Sequence, residues 1–184
     1  MMNDQVVYIN GERFKVLIPE QEIKKRVKEL GEQISKDYAG SIPIFIGVLN
    51  GSVIFFADLI REVKIDCEVD FLKLSSYGDE KISSGHVKLL KDLDCQVTGR
   101  DIIVVEDIID SGLSIKFIKN LIMLKNPKSL RIVTLLYKKN RVQIDFKIDY
   151  IGFEIGDEFV IGYGLDYAQK GRNLKSIYVI DSQK

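Results

Sequence analysis

Val104-Val105-Glu106-Asp107-Ile108-Ile109-Asp110-Ser111-Gly112-Leu113-Ser114 runs from an apolar stretch into three carboxylates and a Ser-Gly turn. Residues 102–105 are four consecutive β-branched side chains. Such a run suits a central parallel strand, which is covered on both faces and need not alternate. Glu106 and Asp107 then fall at or just past its carboxyl end. Asp110-Ser111-Gly112 turns the chain, and a helix follows. In open parallel sheets, ligands bind outside the carboxyl ends of strands. A helix start offers unpaired N–H groups and the positive end of a dipole, which suit a phosphate. Gly112 lets the backbone approach an anion, and Ser111 and Ser114 add hydroxyl donors. The carboxylates suit sugar hydroxyls or a hard cation such as Mg²⁺. A phosphorylated sugar would satisfy both halves. The structural alternative is that Asp110 or Ser111 caps the helix and Glu106-Asp107 is a solvated turn.

Outward from this segment, strands and helices alternate. Apolar runs at 42–49, 102–105, 130–137 and 150–155 read as strands, with shorter ones at 87–90, 159–163 and 177–180. Residues 63–74 hold further strand-like alternation. Ile23, Val27, Leu30 and Ile34 recur at three- and four-residue steps after Pro19, which predicts an amphipathic helix. Residues 53–60 and the region of Ile118, Leu121 and Ile122 predict two more, the last stopping before Pro127. The pattern predicts an α/β fold with a largely parallel central sheet flanked by helices. Asn10-Gly11 between two short apolar runs predicts a hairpin. That hairpin and the terminal strands do not fit the alternation, and they predict a small accessory hood from about 1–19 and 150–184 on one domain, 1–184. The polar, glycine-bearing stretch 75–85 reads as a long loop, and long loops in compact domains are often functional.

The 184 residues suit one domain. Twenty-seven basic and 27 acidic residues balance, without the basic excess expected of a nucleic-acid coat. Cys67 and Cys95 make neither a zinc spacing nor a disulfide framework, so they read as reduced thiols of a cytoplasmic protein. No secretory signal and no membrane span is expected. Neither G-x-x-x-x-G-K-[ST] nor G-x-G-x-x-G is present, which leaves a Walker or dinucleotide site unsupported.

VVEDIIDSGLS resembles the phosphoribosyl-pyrophosphate motif of the type I phosphoribosyltransferases. Its Glu-Asp-Ile-Ile-Asp core is similar in particular to the hypoxanthine-guanine phosphoribosyltransferases. Val48-Leu49-Asn50-Gly51-Ser52 resembles the family's pyrophosphate loop, with Asn50 where Lys is usual. An amide brings no charge, so pyrophosphate contacts there would come from backbone N–H groups or the neutral side chain. Ser76-Tyr77 resembles the start of the family's lid, which would exclude water from an activated sugar. Gly-Phe-Glu-Ile, Phe-Val-Ile-Gly-Tyr-Gly-Leu-Asp-Tyr and Arg-Asn-Leu, within 150–174, resemble the family's C-terminal half.

The resemblance implies a purine-salvage transferase joining a 6-oxopurine to phosphoribosyl pyrophosphate. It implies a phosphoribosyl-pyrophosphate site of Leu49, Asn50, Gly51, Glu106, Asp107, Ile109, Asp110, Ser111, Gly112, Leu113, Ser114 and Arg172. Asp110 would be the general base near N7. Lys138 would donate to oxygen 6, Phe159 would stack on the purine, and the main chain near Val160 and Leu165 would read its edge. Glu106 and Asp107 would hold ribose hydroxyls with or without Mg²⁺, and Asp166 would support a second Mg²⁺ on pyrophosphate. A homodimer or homotetramer is implied, with neither nucleic acid nor membrane as partner. The alternatives are a xanthine-preferring relative, a non-catalytic regulator on the same fold, and a receiver-like module using its acids for Mg²⁺.

Overall fold

The computed structural model describes residues 6–77 and 86–181, excepting the side chains of residues 76, 77, 86 and 87. Its large sheet has six strands. They are β3 (Ile44–Leu49), β4 (Glu68–Tyr77), β5 (His86–Lys91), β6 (Asp101–Ile109), β7 (Ser129–Tyr137) and β8 (Tyr150–Glu154), in the order β5-β4-β3-β6-β7-β8. All pairs are parallel except the edge pair β4–β5. The fold is therefore α/β with a largely parallel sheet. A second sheet, β1-β2-β10-β9, is built from β1 (Val6–Ile9), β2 (Glu12–Ile18), β9 (Val160–Ile161) and β10 (Ile177–Ile180). Asn10 and Gly11, both at positive φ, make the expected turn between β1 and β2.

Each face of the large sheet has its own core, and β6 shows why its sequence is continuously apolar. Ile103 and Val105 face α1 (Glu20–Asp37) and α2 (Val53–Glu62), packing with Phe45, Phe55 and Leu59. Ile102 and Val104 face the opposite way, toward α3 (Leu113–Met123) with Ile118 and Ile122. All four of these β6 side chains are fully buried, each contributing roughly 1.5–3 kcal/mol by leaving water. The helical stripe Ile23, Val27, Leu30 and Ile34 is buried as its spacing predicts. Arg26, on the same helix, donates to Ile151 O at 2.7 Å and Gly152 O at 3.0 Å, tying α1 to β8.

Several boundaries differ from the sequence reading. β6 continues to Ile109, because β7 pairs with it as far as Ile109↔Tyr137, so Glu106 and Asp107 lie inside the strand. Residues 63–67 are not strand, and β4 begins at Glu68 and runs on to Tyr77. The polar stretch at 75–77 is held there by antiparallel pairing with β5. The expected strand at 159–163 shrinks to two residues, since Gly162 takes φ +98 and turns the chain. β8 belongs to the large sheet, so the accessory sheet draws its strands from 6–18 and 160–180. Among the described residues, no helix is long and apolar enough to cross a membrane.

Candidate active site

The site forms where the large sheet splits. β3 and β6 are paired from Ile44↔Ile102 to Gly47↔Val105, and their pairing goes no further. From Glu106 onward β6 keeps only its β7 neighbour, and a crevice opens beside it. β3 meanwhile runs out through Leu49, joined to Asn50 by a cis peptide, into the turn that starts α2. Both crevice walls are thus carboxyl ends of parallel strands.

Glu106 is 7% exposed, and its Oε2 has no hydrogen-bond partner. Burial, with the Asp107 charge alongside, pushes its carboxyl well above the usual range. Burial also pushes Asp107 up to about 6, although the Ile108 N–H, at 3.0 Å from Oδ1, and the Arg172 charge pull the other way. Two crowded acids, one with an orphaned oxygen, make a donor pair that a cation or a sugar diol would satisfy.

Two glycines set how closely the walls approach. A Cβ on Gly51 would overlap the Asp107 carboxylate, and a Cβ on Gly164 would overlap the Gly51 carbonyl. The segment after β9 therefore lies directly against the turn after β3. It brings Arg172, which donates to Gly164 O at 2.8 Å and pairs with Asp166 at 2.6 Å. The other Asp166 oxygen accepts from Gln169 N at 2.8 Å. Asp166 is thus bound to its own loop. Among the described residues, no three acidic, His or Cys side chains converge on a common metal position.

The turn expected to cradle a phosphate lies at the start of α3. Gly112 occupies the N-cap of α3 at φ +88, a left-handed conformation suited to glycine, and no side chain caps the helix from that position. Ser111 Oγ reaches Leu113 N only at a long 3.4 Å. The capping alternative is therefore weakly served, and the first-turn N–H groups face an anion-sized opening. A cavity of about 260 Å³ lies here, lined by 106–112, Ser114 and Ile115. A larger cavity of about 490 Å³ between α1 and α2 lies apart from these strand ends. Lys24 and Arg61 on its rim are already paired with Glu20 and Asp58.

Lys138 follows β7, is buried, and places Nζ 3.2 Å from Asp110 Oδ2. The acid and the cation read separately from the sequence therefore meet. Phe159 is 45% exposed and packs edge-on against Tyr167 with centroids 5.4 Å apart, leaving aromatic surface open to a ligand. Val160 is buried and its main chain pairs with Val179. Leu165 exchanges both main-chain hydrogen bonds with Gly162, at 3.0 and 3.1 Å. Its N–H is therefore already engaged, against the expectation that it reads a ring edge. The Ser76 and Tyr77 side chains and residues 78–85, on which the lid expectation falls, lie outside the described residues.

Sequence reasoning passed over Arg141, Tyr163 and Asp58. Arg141 lies against Asp110, with Nη1 at 3.2 Å from Oδ2 and Nε at 3.0 Å from Oδ1. Tyr163 donates to Asp58 at 2.6 Å and anchors the loop that carries Gly164. A third basic residue three positions after Lys138 was the available signal for Arg141. Nothing in the sequence marks the Tyr163–Asp58 contact.

A family profile described as phosphoribosyl transferase domain matches residues 17–168. The chain is 51% identical over 166 residues to a hypoxanthine-guanine phosphoribosyltransferase of Bacillus subtilis, covering 90% of this chain and 92% of that one. It is 49% identical over 164 residues to a hypoxanthine phosphoribosyltransferase of Escherichia coli K12, covering 88% and 92%. A crystal structure of a hypoxanthine-guanine phosphoribosyltransferase from Bacillus anthracis superposes with a TM-score of 0.86 at 47% identity, covering 91% of this chain and 98% of that one.

Proposed function

The chain belongs to the phosphoribosyltransferase family, and from that premise we propose that it converts hypoxanthine or guanine and 5-phosphoribosyl-1-pyrophosphate to IMP or GMP and pyrophosphate. The observation that carries this reading is the Asp110–Lys138 pair beside the α3 phosphate cradle. On a 6-oxopurine, oxygen 6 and N7 lie side by side. Lys138 donates to oxygen 6, which only accepts. Asp110 takes the N7 proton. Adenine carries an amino group at position 6 and would leave the buried Lys138 unanswered, which is costly.

In the reaction a bond forms between the purine N9 and C1 of the ribose. The bond from C1 to the pyrophosphate oxygen breaks, and its electron pair leaves with pyrophosphate. The N7–H bond breaks as Asp110 gains the proton. The N–H groups at the start of α3, with Ser111 and Ser114, hold the 5-phosphate and so fix the position of C1. Ile109 and Leu113 flank that turn. Leu49, Asn50 and Gly51 place backbone groups toward the pyrophosphate, and Arg172 adds a cation there. Phe159 stacks on the base, while Val160 and Leu165 shape its pocket. Glu106 and Asp107 bind the ribose hydroxyls.

The same two carboxylates would hold Mg²⁺, and the orphaned Glu106 oxygen fits that role. Mg²⁺ takes one or two protein carboxylates and completes its shell from substrate oxygens and water. When bound, it supplies Lewis-acid stabilisation of the leaving group's charge. For Asp166 we retain a second-cation role, in competition with Arg172. The accessory sheet serves as the hood over the base, and the lid role stays with Ser76 and Tyr77. A cytoplasmic homodimer or homotetramer completes the proposal. The names of the relatives do not favour a xanthine-preferring enzyme or a non-catalytic regulator.

The test is pyrophosphate release from the purified protein with Mg²⁺, phosphoribosyl pyrophosphate and each of hypoxanthine, guanine, xanthine and adenine. Turnover with the first two, little with adenine, and a loss of about 10²–10⁴-fold in Asp110→Asn is expected. Absence of turnover with every purine would refute the reading.

A further inference from the structure

Among the described residues, Arg141 is the one cation that grips Asp110 without a task toward the purine, and the geometry points to it as the positioning residue of the catalytic base. This inference rests on the proposed role of Asp110. Asp110 Oδ2 accepts from Lys138 Nζ and Arg141 Nη1, both at 3.2 Å. Oδ1 is different. Arg141 Nε lies 3.0 Å from it, yet Oδ1 accepts no hydrogen bond and is screened from water. Arg141 thus lies against both oxygens of the carboxylate, while Lys138 touches only one.

The two cations part company when a base binds. A 6-oxopurine draws Lys138 toward oxygen 6. Arg141 then remains against both oxygens and keeps the carboxylate aimed at N7. The backbone makes this arrangement firm. Lys138 N donates to Ile109 O at 3.0 Å, and Gln143 N donates to Ser111 O at 3.0 Å. Arg141 N closes its own turn onto Lys138 O, also at 3.0 Å. A Cβ on Gly112 would meet Ile144 Cγ2 at 2.5 Å, so the far end of the turn packs on the phosphate cradle. The turn bearing Arg141 is thus fixed to both sides of Asp110 by main-chain contacts that survive loss of the side chain. The side chains of Arg141 and Asp110 are 47% and 40% exposed, and ion pairs so open to water add little to stability. What the pair supplies is orientation.

The experiment is a kinetic cycle on the full chain with Asp110→Asn, Arg141→Gln and the double variant, read as pyrophosphate release with hypoxanthine. Arg141→Gln is expected to lower kcat about 10–100-fold, part of the rate that base catalysis supplies, with KM for phosphoribosyl pyrophosphate within about twofold of the parent. In the Asp110→Asn background the same change is expected to cost nothing further. Arg141→Lys should recover part of kcat, and added guanidinium should raise the rate of Arg141→Gly. Unchanged kcat, a loss confined to KM, or an additive loss in the Asp110→Asn background would overturn the proposal while leaving the base assignment standing. Full activity of Asp110→Asn alone would instead remove the base assignment, and this proposal with it.

Discussion

Gly51→Ala should disable the site without unfolding the protein. A Cβ there would sit 2.6 Å from Asp107 Cγ and 3.1 Å from Oδ1, with Oδ2 closer still. Gly51 is not among the glycines at positive φ, so alanine tolerates its backbone and the effect is purely steric. The turn cannot simply retreat, because Gly164 lies against the Gly51 carbonyl on the other side. Asp107 must therefore swing and give up its 3.0 Å bond from Ile108 N, or the turn after β3 must move. Either route displaces groups by about 1 Å, a misplacement that can cost about 10²-fold in rate. That corresponds to roughly 2.7 kcal/mol of transition-state stabilisation. Steady-state pyrophosphate release should show kcat/KM for phosphoribosyl pyrophosphate falling by about that factor, while thermal unfolding shows a folded protein. A variant within about threefold of the parent would refute the claim that this contact fixes the geometry of the reacting sugar.

Three further outcomes are expected. Asp107 titrates near 6 because burial raises it, so its favourable share of stability is complete below its ordinary pKa of 3.8 and is lost as pH rises through 6. Asp107→Asn should therefore stabilise the metal-free protein by about 1–2 kcal/mol more at pH 8 than at pH 5 in urea unfolding with chelator, and equal gains at both would contradict this. Lys138→Ala should cost hypoxanthine turnover about 10–100-fold, the worth of a charged hydrogen bond, and narrow the margin over adenine, with an unchanged ratio counting against oxygen 6 as its partner. Tyr163→Phe removes the 2.6 Å bond to Asp58, and should lower stability by about 1–2 kcal/mol and raise KM for phosphoribosyl pyrophosphate several-fold. If neither moves, that anchor does not support the Gly164–Gly51 contact.

The fold was legible because its main signals are local. Four β-branched residues before Glu106 and the three- and four-residue steps of α1 report burial directly. The end of β6 was not legible, since Glu106 and Asp107 are strand residues only by virtue of β7 beside them. The continuation of β4 through polar residues 75–77 depends likewise on its partner β5. In the site, Asp110 and Lys138 could each be picked out, but their 3.2 Å approach arises from adjacent strand ends and no spacing encodes it. Arg141 was missed because a basic residue in a polar turn looks like solvated surface. The engagement of Leu165 was missed because main-chain bonding between 162 and 165 leaves no side-chain signature.

The accessory sheet joins the two ends of the described chain. β10 lies between β2 and β9, with Phe14 opposite Ile180 and Val179 opposite Val160. Contacts across more than 160 residues form late, because a long loop must close before they are rewarded. During synthesis on a ribosome, the strand carrying Glu106 and the strand that leads into Lys138 emerge and can pair first. The segment bearing Gly164 and Arg172, and the strand that closes the second sheet, follow behind them. A nascent chain can thus present a half-formed crevice well before it has the wall that completes it. Activity should appear abruptly with the arrival of the last strand, and chains arrested before that point should hold the core of a transferase with no turnover.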